Sequence, residues 1–421
     1  MQPQKHILEV RQYFPQAAGK IALKICRDAI WCGDACNWIG ASNEDHFGTP
    51  KTYAKALNLD FYSGTSGVLY FLVSMNKMLK DEILEETIHG TVNQMISQIP
   101  NLTIYGKLGF HTGLSGIAFS LIYAGENLKN QDWVEQGLNL MADIDTLDLE
   151  NQGLDVIDGA AGTIPLLIRY AKQFNRPDFL TIAQKLGNHL LAKAQTNQQG
   201  TSWNTAGPQK QNLTGHAHGT SGIATALLEL FVATQQDEYK KTAIDALRYE
   251  NHHFSHQHKN WADFRDFSQM IGSGVESSDA SFGSCAWCHG AAGIALSRLR
   301  AYQILGDEKF KKDAEIAVQK TLDELRLLPY ESTSLCHGIA GNSDILISAS
   351  QILKKPELLI KANLSGEYLS KELVNKDIPF TNGLHNTHDI PDMMLGAAGV
   401  GYFLLRLYDT KQYESVLLIT P

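Results

Sequence analysis

A short glycine motif recurs seven times along this 421-residue chain and constrains the fold more than any other feature. Each copy has two glycines separated by two residues and followed by an apolar run of helical length. The copies read SGTSGVLYFLV from Ser63, TGLSGIAFSLI from Thr112, DGAAGTIPLLI from Asp158, HGTSGIATALL from His218, HGAAGIALSRL from His289, HGIAGNSDILI from His337 and LGAAGVGYFLL from Leu395. The intervals between leading glycines hold two helices and their connections, because globular helices run about 8 to 20 residues. Each repeat therefore reads as a helical hairpin. The runs after GxxG are apolar nearly all round, as inner helices are; stretches such as KTAIDALRYE from Lys240 and EKFKKDAEIAVQKTLDELRLL from Glu308 are amphipathic, as outer helices are. Strand signals are nearly absent, so the expected class is all-α.

Glycines at a helix entrance let backbones approach closely, so seven of them suggest seven helix N-termini crowded at one centre. A closed ring of helix pairs accomplishes this; an open solenoid, in which the glycines only ease packing, is the alternative. Convergent N-termini would offer partial positive charge and free N–H groups, a floor suited to a thiolate or enolate.

Two repeats place Cys-His directly before the leading glycine: AWCHGAAG with Cys288 and His289, and SLCHGIAG with Cys336 and His337. Thiolates and imidazoles at equivalent positions of neighbouring repeats are soft ligands that suit zinc. Three protein ligands would leave a position open for catalysis, whereas both Cys-His pairs together would close the site and make the metal structural. The bland account is two small buried cysteines and two capping or core histidines. A third repeat supplies GHAHG, in which His218 stands directly before its glycine, one place later than the cysteines. His218 thus belongs at the same end and can titrate near neutral pH, as a general acid must. His216 reads as structural. Asp155 precedes its glycine by four residues and Asp158 by one, and helix capping accounts for both in the bland reading.

The remaining cysteines carry less. Cys285 forms a CxxC with Cys288, but nothing nearby has the βαβ pattern of a redox fold. Cys32 and Cys36 lie one helical turn apart, with Cys26 ahead of them. Six cysteines in a chain without a recognisable secretion signal are too few for a disulfide scaffold. His252, His253, His256 and His258 crowd a polar connection that reads as solvated. A net charge of −9 without a Lys/Arg cluster argues against nucleic acid as a partner. With no apolar run of about 18 residues, no transmembrane segment is expected, and the protein reads as cytoplasmic.

With these motifs in view, the chain resembles the lanthionine synthetase C-like family, the zinc cyclases of lanthipeptide biosynthesis. The resemblance rests on WCHG, LCHG and HG, each followed by GxxG, and covers nearly the whole length. NWIG from Asn37, YENHHFSHQHKNWADFR from Tyr249 and the ending from Met393 are similar to the C-terminal cyclase domain of class II synthetases. The resemblance implies an α/α toroid of seven inner and seven outer helices, as one domain over residues 1–421 with a helical segment at 1–55. It also implies Cys288, Cys336 and His337 as zinc ligands, and His218 and Asp155 as active-site residues with His289 as the alternative acid. The implied reaction adds peptide cysteine thiols to dehydroalanine or dehydrobutyrine, forming thioether rings. Its partners would be a dehydrated precursor peptide and a separate or fused dehydratase, the chain being either a free-standing cyclase or one domain of a larger synthetase. Alternatives are a LanC-like enzyme that adds glutathione to dehydroamino acids in proteins, and a non-catalytic peptide-binding ring stabilised by zinc. Two departures stand out. His289 takes a place where some class I members have Tyr, and Ser284 takes a place where class I members can have Arg.

Overall fold

Among the described residues (12–46, 49–102, 108–207, 211–265, 281–326, 332–382 and 389–421 of a computed structural model) the chain forms fourteen α-helices. Seven begin at the glycine motifs: α2 (Thr65–Leu79), α4 (Leu114–Leu128), α6 (Ala160–Gln173), α8 (Thr220–Thr234), α10 (Ala291–Leu305), α12 (Ile339–Leu353) and α14 (Ala397–Tyr408). Seven others alternate with them: α1 (Tyr13–Arg27), α3 (Glu82–Gln98), α5 (Gln131–Asp143), α7 (Pro177–Lys193), α9 (Asp237–His252), α11 (Glu308–Glu324) and α13 (Pro356–Tyr368). Hydropathy sorts the two sets. Every residue of α8 from Thr220 to Leu230 is buried, whereas α11 buries only Phe310, Ala314, Ala317, Val318 and Thr321, one stripe at helical spacing. Each glycine-led helix packs on the next, and α14 packs on α2. The ring is closed; the fold is an α/α toroid rather than a solenoid.

The leading glycine is the N-cap of every inner helix. The second glycine lies in the first turn, against the carbonyl oxygen of the residue six places earlier. A Cβ would lie 1.8 Å from the Leu335 oxygen at Gly341 and 2.0 Å from that of Trp287 at Gly293, and the same clash recurs in the other five repeats. Only a hydrogen can stand there. The preceding loop is thereby clamped to the helix, which fixes where the residues between them point.

That clamping overturns one expectation. Many first-turn N–H groups are not free to meet a ligand, because they donate to carbonyls seven residues earlier: Thr65 to Asn58, Ala160 to Gly153, Thr220 to Leu213, Gly293 to Ala286, Ile339 to Ser332 and Ala397 to Ile390. The loop has already satisfied these otherwise orphaned donors.

The N-terminal stretch also differs from the expected helical segment. Residues 1–11 lie outside the described residues; α1 is helical, but Ile30–Cys32 pairs with Ala35–Asn37 and Ile39–His46 with Thr49–Ala56 as antiparallel hairpins. Cys32 and Cys36 therefore sit on paired strands, Cys32 exposed and Cys36 buried, rather than one turn apart on a helix. Two further short hairpins join helices, Gln195–Asn197 with Gly200–Ser202 and Phe254–Ser255 with Asn260–Trp261. The pairing of helices departs from seven consecutive hairpins as well. The helix that packs on α14 as its outer partner is α1, so the first and last described helices form the seventh pair.

Candidate metal centre and active site

Around the ring, the residues two places before each leading glycine are Tyr62, His111, Ile157, Ala217, Cys288, Cys336 and Met394. Main-chain hydrogen bonds stitch neighbouring loops together at this level. Tyr62 N donates to His111 O, His111 N to Ile157 O, Val156 N to Ala217 O, Ala217 N to Cys288 O, Cys336 N to Met394 O and Met394 N to Tyr62 O. Six of the seven joints are closed in this way. Among the described residues no such bond joins the Cys288 loop to the Cys336 loop, and at that seam the two thiols meet.

One ligand atom from each of Cys288, Cys336 and His337 lies within 4.8 Å of the others. The two thiols perturb each other: the Cys336 thiol lowers the Cys288 pKa, while the Cys288 sulfur and burial push Cys336 well up. A cation is what would let both ionise. Nε2 of His337 lies 2.5 Å from the Asn382 carbonyl oxygen, so this nitrogen carries the proton and Nδ1 is left to act as a donor atom. Tyr62 is a neighbour of Cys336, and burial, with the Cys336 thiol beside it, pushes the phenol well above its usual pKa. Two sulfurs and an oriented imidazole fit a soft or borderline divalent ion.

His218 and Asp155 stand beside this cluster, on the entrances of α8 and α6. Nδ1 of His218 is 2.7 Å from Asp155 Oδ2, and Asp155 Oδ1 accepts the backbone N–H of Asp158. The aspartate thus both closes its own turn and holds the histidine. Gly159, not Asp158, is the N-cap of α6, and no side-chain cap bond is made there. Burial works to lower the His218 pKa, but the Asp155 carboxylate, through hydrogen bond and charge, leaves it raised. The His218 side chain is 40% exposed while that of Asp155 is 3% exposed, so the imidazole is the member of the pair that faces outward.

His289 stacks on His218 with ring centroids 5.7 Å apart, yet it is itself buried. Its Nδ1 is 4.0 Å from Asp263 Oδ1, and among the described residues neither ring nitrogen has a hydrogen-bond partner. Burial pushes its pKa down to about 3. Gly290, directly after it, has a φ of +86° and a Cβ position 1.9 Å from the Ser284 oxygen, so the turn that carries Cys288 and His289 admits only glycine.

Sequence reasoning missed the residues that brace these loops from a distance. Glu250, on α9, accepts from Gly215 N at 2.8 Å and Ser221 N at 3.0 Å, capping the entrance that presents His218. Asn260 accepts from Ala291 N and donates to the Ser284 and Phe282 carbonyls, doing the same for the Cys288 loop. Asp263, Arg265, Tyr62 and Asn382 were likewise not foreseen. The residues set aside are placed away from the cluster. His216 is buried against Trp287, and Cys285, whose thiol is pushed up to about 12 by burial, is not among the metal-ligand atoms. His256 and His258 are exposed on the hairpin, and His253 is half-buried against Tyr249 and Phe264.

Residues 55–418 match the family model described as lanthionine synthetase C-like protein. The chain belongs to this family. It is 25% identical over 407 residues to the lacticin 481/lactococcin biosynthesis protein LcnDR2 of Lactococcus lactis, a match covering 91% of this chain but only 39% of that protein. It is 24% identical over 354 residues to the nisin biosynthesis protein NisC of the same species, covering 78% of this chain and 82% of NisC. A solved structure of nisin cyclase superposes with a TM-score of 0.65 at 18% identity, covering 84% of this chain and 90% of that one, in keeping with the toroid. A Danio rerio protein named glutathione S-transferase LANCL1 is 21% identical over 358 residues, covering 82% of this chain and 81% of that protein. No described helix is long and apolar enough to cross a membrane.

Proposed function

We propose that this lanthionine synthetase C-like chain is a zinc-dependent cyclase that joins peptide cysteine thiols to dehydroalanine or dehydrobutyrine as thioether rings. The observation that carries the reading is the meeting of Cys288, Cys336 and His337 at the unstitched seam, beside the His218–Asp155 pair. Zinc held there would supply an electrophilic centre that ionises a substrate thiol well below its free pKa of about 8.5. Among the described residues three donors gather rather than four, which favours an open catalytic position over a closed structural one.

The remaining chemistry falls to side chains. The substrate thiolate forms a bond to the β-carbon of the dehydroamino residue, and the C=C electron pair moves toward the adjacent carbonyl to give an enolate. A proton must then reach the α-carbon. His218 is suited to deliver it, because Asp155 holds the proton on Nδ1, fixes the ring and keeps it basic, and the imidazole is exposed. His289, buried behind that ring, is placed to support it rather than to reach substrate. The peptide substrate would come from a dehydratase, separate or on the same polypeptide.

The test uses a synthetic peptide holding dehydroalanine and cysteine, with loss of alkylatable thiol at unchanged mass as the readout. The wild-type protein, carrying one zinc per chain, consumes the thiol. Cys336→Ala loses zinc and ring closure together, whereas His218→Ala keeps zinc and loses about 100-fold or more in turnover, the usual range for a general acid. Ring closure by metal-free Cys336→Ala would refute the reading. Glutathione addition is the second reading, favoured by the name of the zebrafish relative. Glutathione offered with a cysteine-free dehydrated peptide separates the two, since adduct formation adds the mass of the tripeptide.

A further inference from the structure

The ring-closing reaction puts negative charge on the carbonyl oxygen of the dehydroamino residue, and catalysis of such a step needs a fixed donor at that oxygen. In a toroid of converging helix entrances, the first-turn N–H groups would be the natural source. Many of them are already bonded to the loop carbonyls seven residues back, and Ala291 N at the Cys288 loop is bonded to Asn260. A side chain is the stronger source, and one stands in the short segment after the Phe254–Ser255 and Asn260–Trp261 hairpin.

We propose that the guanidinium of Arg265 holds this oxygen and carries its charge as the enolate forms. The inference rests on the cyclase reading and adds to it a residue for the acceptor carbonyl. Arg265 is anchored along one edge, with Nε 3.0 Å from Asp263 Oδ1 and Nη2 2.7 Å from Asp263 Oδ2. Asp263 itself cannot drift. Its backbone pairs in both directions with Ser281, and its carboxylate, 1% exposed, also accepts from Arg265 N and from Ser284 Oγ at 2.8 Å. The arginine side chain remains 35% exposed, so its anchored fork is presented outward instead of being swallowed by the core.

The same contacts tie it to the loop that carries Cys288. Nη2 reaches to 3.4 Å from Ser284 Oγ, and Ser284 begins the clamped turn that carries Cys288 and His289. Asn260 ties the Ser284 carbonyl to the entrance of α10. Arg265 is therefore linked to the turn that carries Cys288 and the imidazole stacked on His218. Its charge reaches Cys288, Cys336, His289 and His337, as expected for a cation beside the cluster. A guanidinium suits the task because it is planar, permanently charged and offers several donors in a fixed fork. In the balanced step, the C–S bond forms, the C=C pair becomes the C=C–O⁻ of the enolate against the guanidinium, and protonation at the α-carbon restores the carbonyl. Arg265 gains and loses no proton.

Arg265→Gln should keep one zinc per chain and bind a non-reacting analogue, with alanine in place of dehydroalanine, within threefold of wild type. The saturated carbonyl of that analogue acquires no charge. The kcat of ring closure should fall about 100-fold, the loss typical of removing one oxyanion donor, and Arg265→Lys should recover part of it. If leaving Asp263 unpaired lowers the melting temperature, Asp263→Asn/Arg265→Gln removes both charges and should show the same kcat loss. A zinc-loaded variant of either kind whose kcat stays within threefold of wild type, or whose loss lies entirely in KM, overturns the proposal. Inactive wild-type protein removes the cyclase reading and this role with it, whereas active wild type with an equally active Arg265→Gln removes only the arginine's role.

Discussion

At the scale of single residues, Asp155 shows how one carboxylate serves structure and chemistry together. Its Oδ1 closes the turn before α6 and its Oδ2 holds His218, so deletion would confound the two roles, but an amide of the same shape separates them. With Asp155 charged, the His218 pKa is raised, so the imidazole keeps its proton to higher pH than an ordinary histidine and activity is lost as pH rises through that value. In Asp155→Asn the carboxylate no longer opposes burial, which acts to lower the pKa. The alkaline limb of the pH–kcat profile should therefore move toward acid by about one unit or more, with zinc content unchanged. An unmoved limb in a variant of reduced activity would show that another group delivers the proton.

At the scale of elements, the second glycine of each motif decides whether the loops before the inner helices can be clamped. Gly341→Ala would drive a Cβ into the Leu335 carbonyl one residue before Cys336, and the helix or the loop must yield. Gly306→Ala is the comparison, a glycine at φ +69° with open space around it, where the cost is backbone strain alone. The expected losses are about 3 kcal/mol or more at Gly341 and about 1 kcal/mol at Gly306, read from denaturant unfolding. Zinc affinity should fall only in Gly341→Ala, because only there is a ligand-bearing loop displaced; equal effects would show that the clash is relieved locally. The seven inner helices were legible in the sequence for the same reason. A steric demand repeated at seven entrances leaves the same mark seven times, and the Cys-His pairs stood out against it as variations at a fixed position. What lay hidden were contacts between residues remote in sequence. Glu250 caps α8 from α9, Asn260 caps α10 from a hairpin, and Arg265 reaches Ser284 across 19 residues, none with a local pattern to announce it. The strands from Ile30 to Ala56 escaped because they are short hairpins without a long alternating apolar face, and α1 gave no sign that its partner was the last helix of the chain.

At the scale of the whole molecule, the toroid is a ring of loops stitched by main-chain bonds at six joints and, among the described residues, by side chains at the seventh. There, among the described residues, Asn342 Nδ2 bonds the Cys285 carbonyl, and the two thiols gather across the seam. A divalent ion gripped by Cys288 from one side and by Cys336 and His337 from the other would act as the missing stitch. Ring integrity and the reaction centre would then be coupled, since an ion that binds only the folded ring stabilises it by mass action, about 2.7 kcal/mol at a hundredfold excess over Kd. Removing the metal should therefore loosen the ring locally. Hydrogen exchange in the chelated protein should rise in residues 284–290 and 332–338, while the joints at Tyr62, His111 and Ala217 stay protected and the melting temperature falls. If exchange rose evenly around all seven joints, or not at all, the two cysteine loops would have to be held together by their own packing, and the metal would be a reagent of the site without being part of its frame.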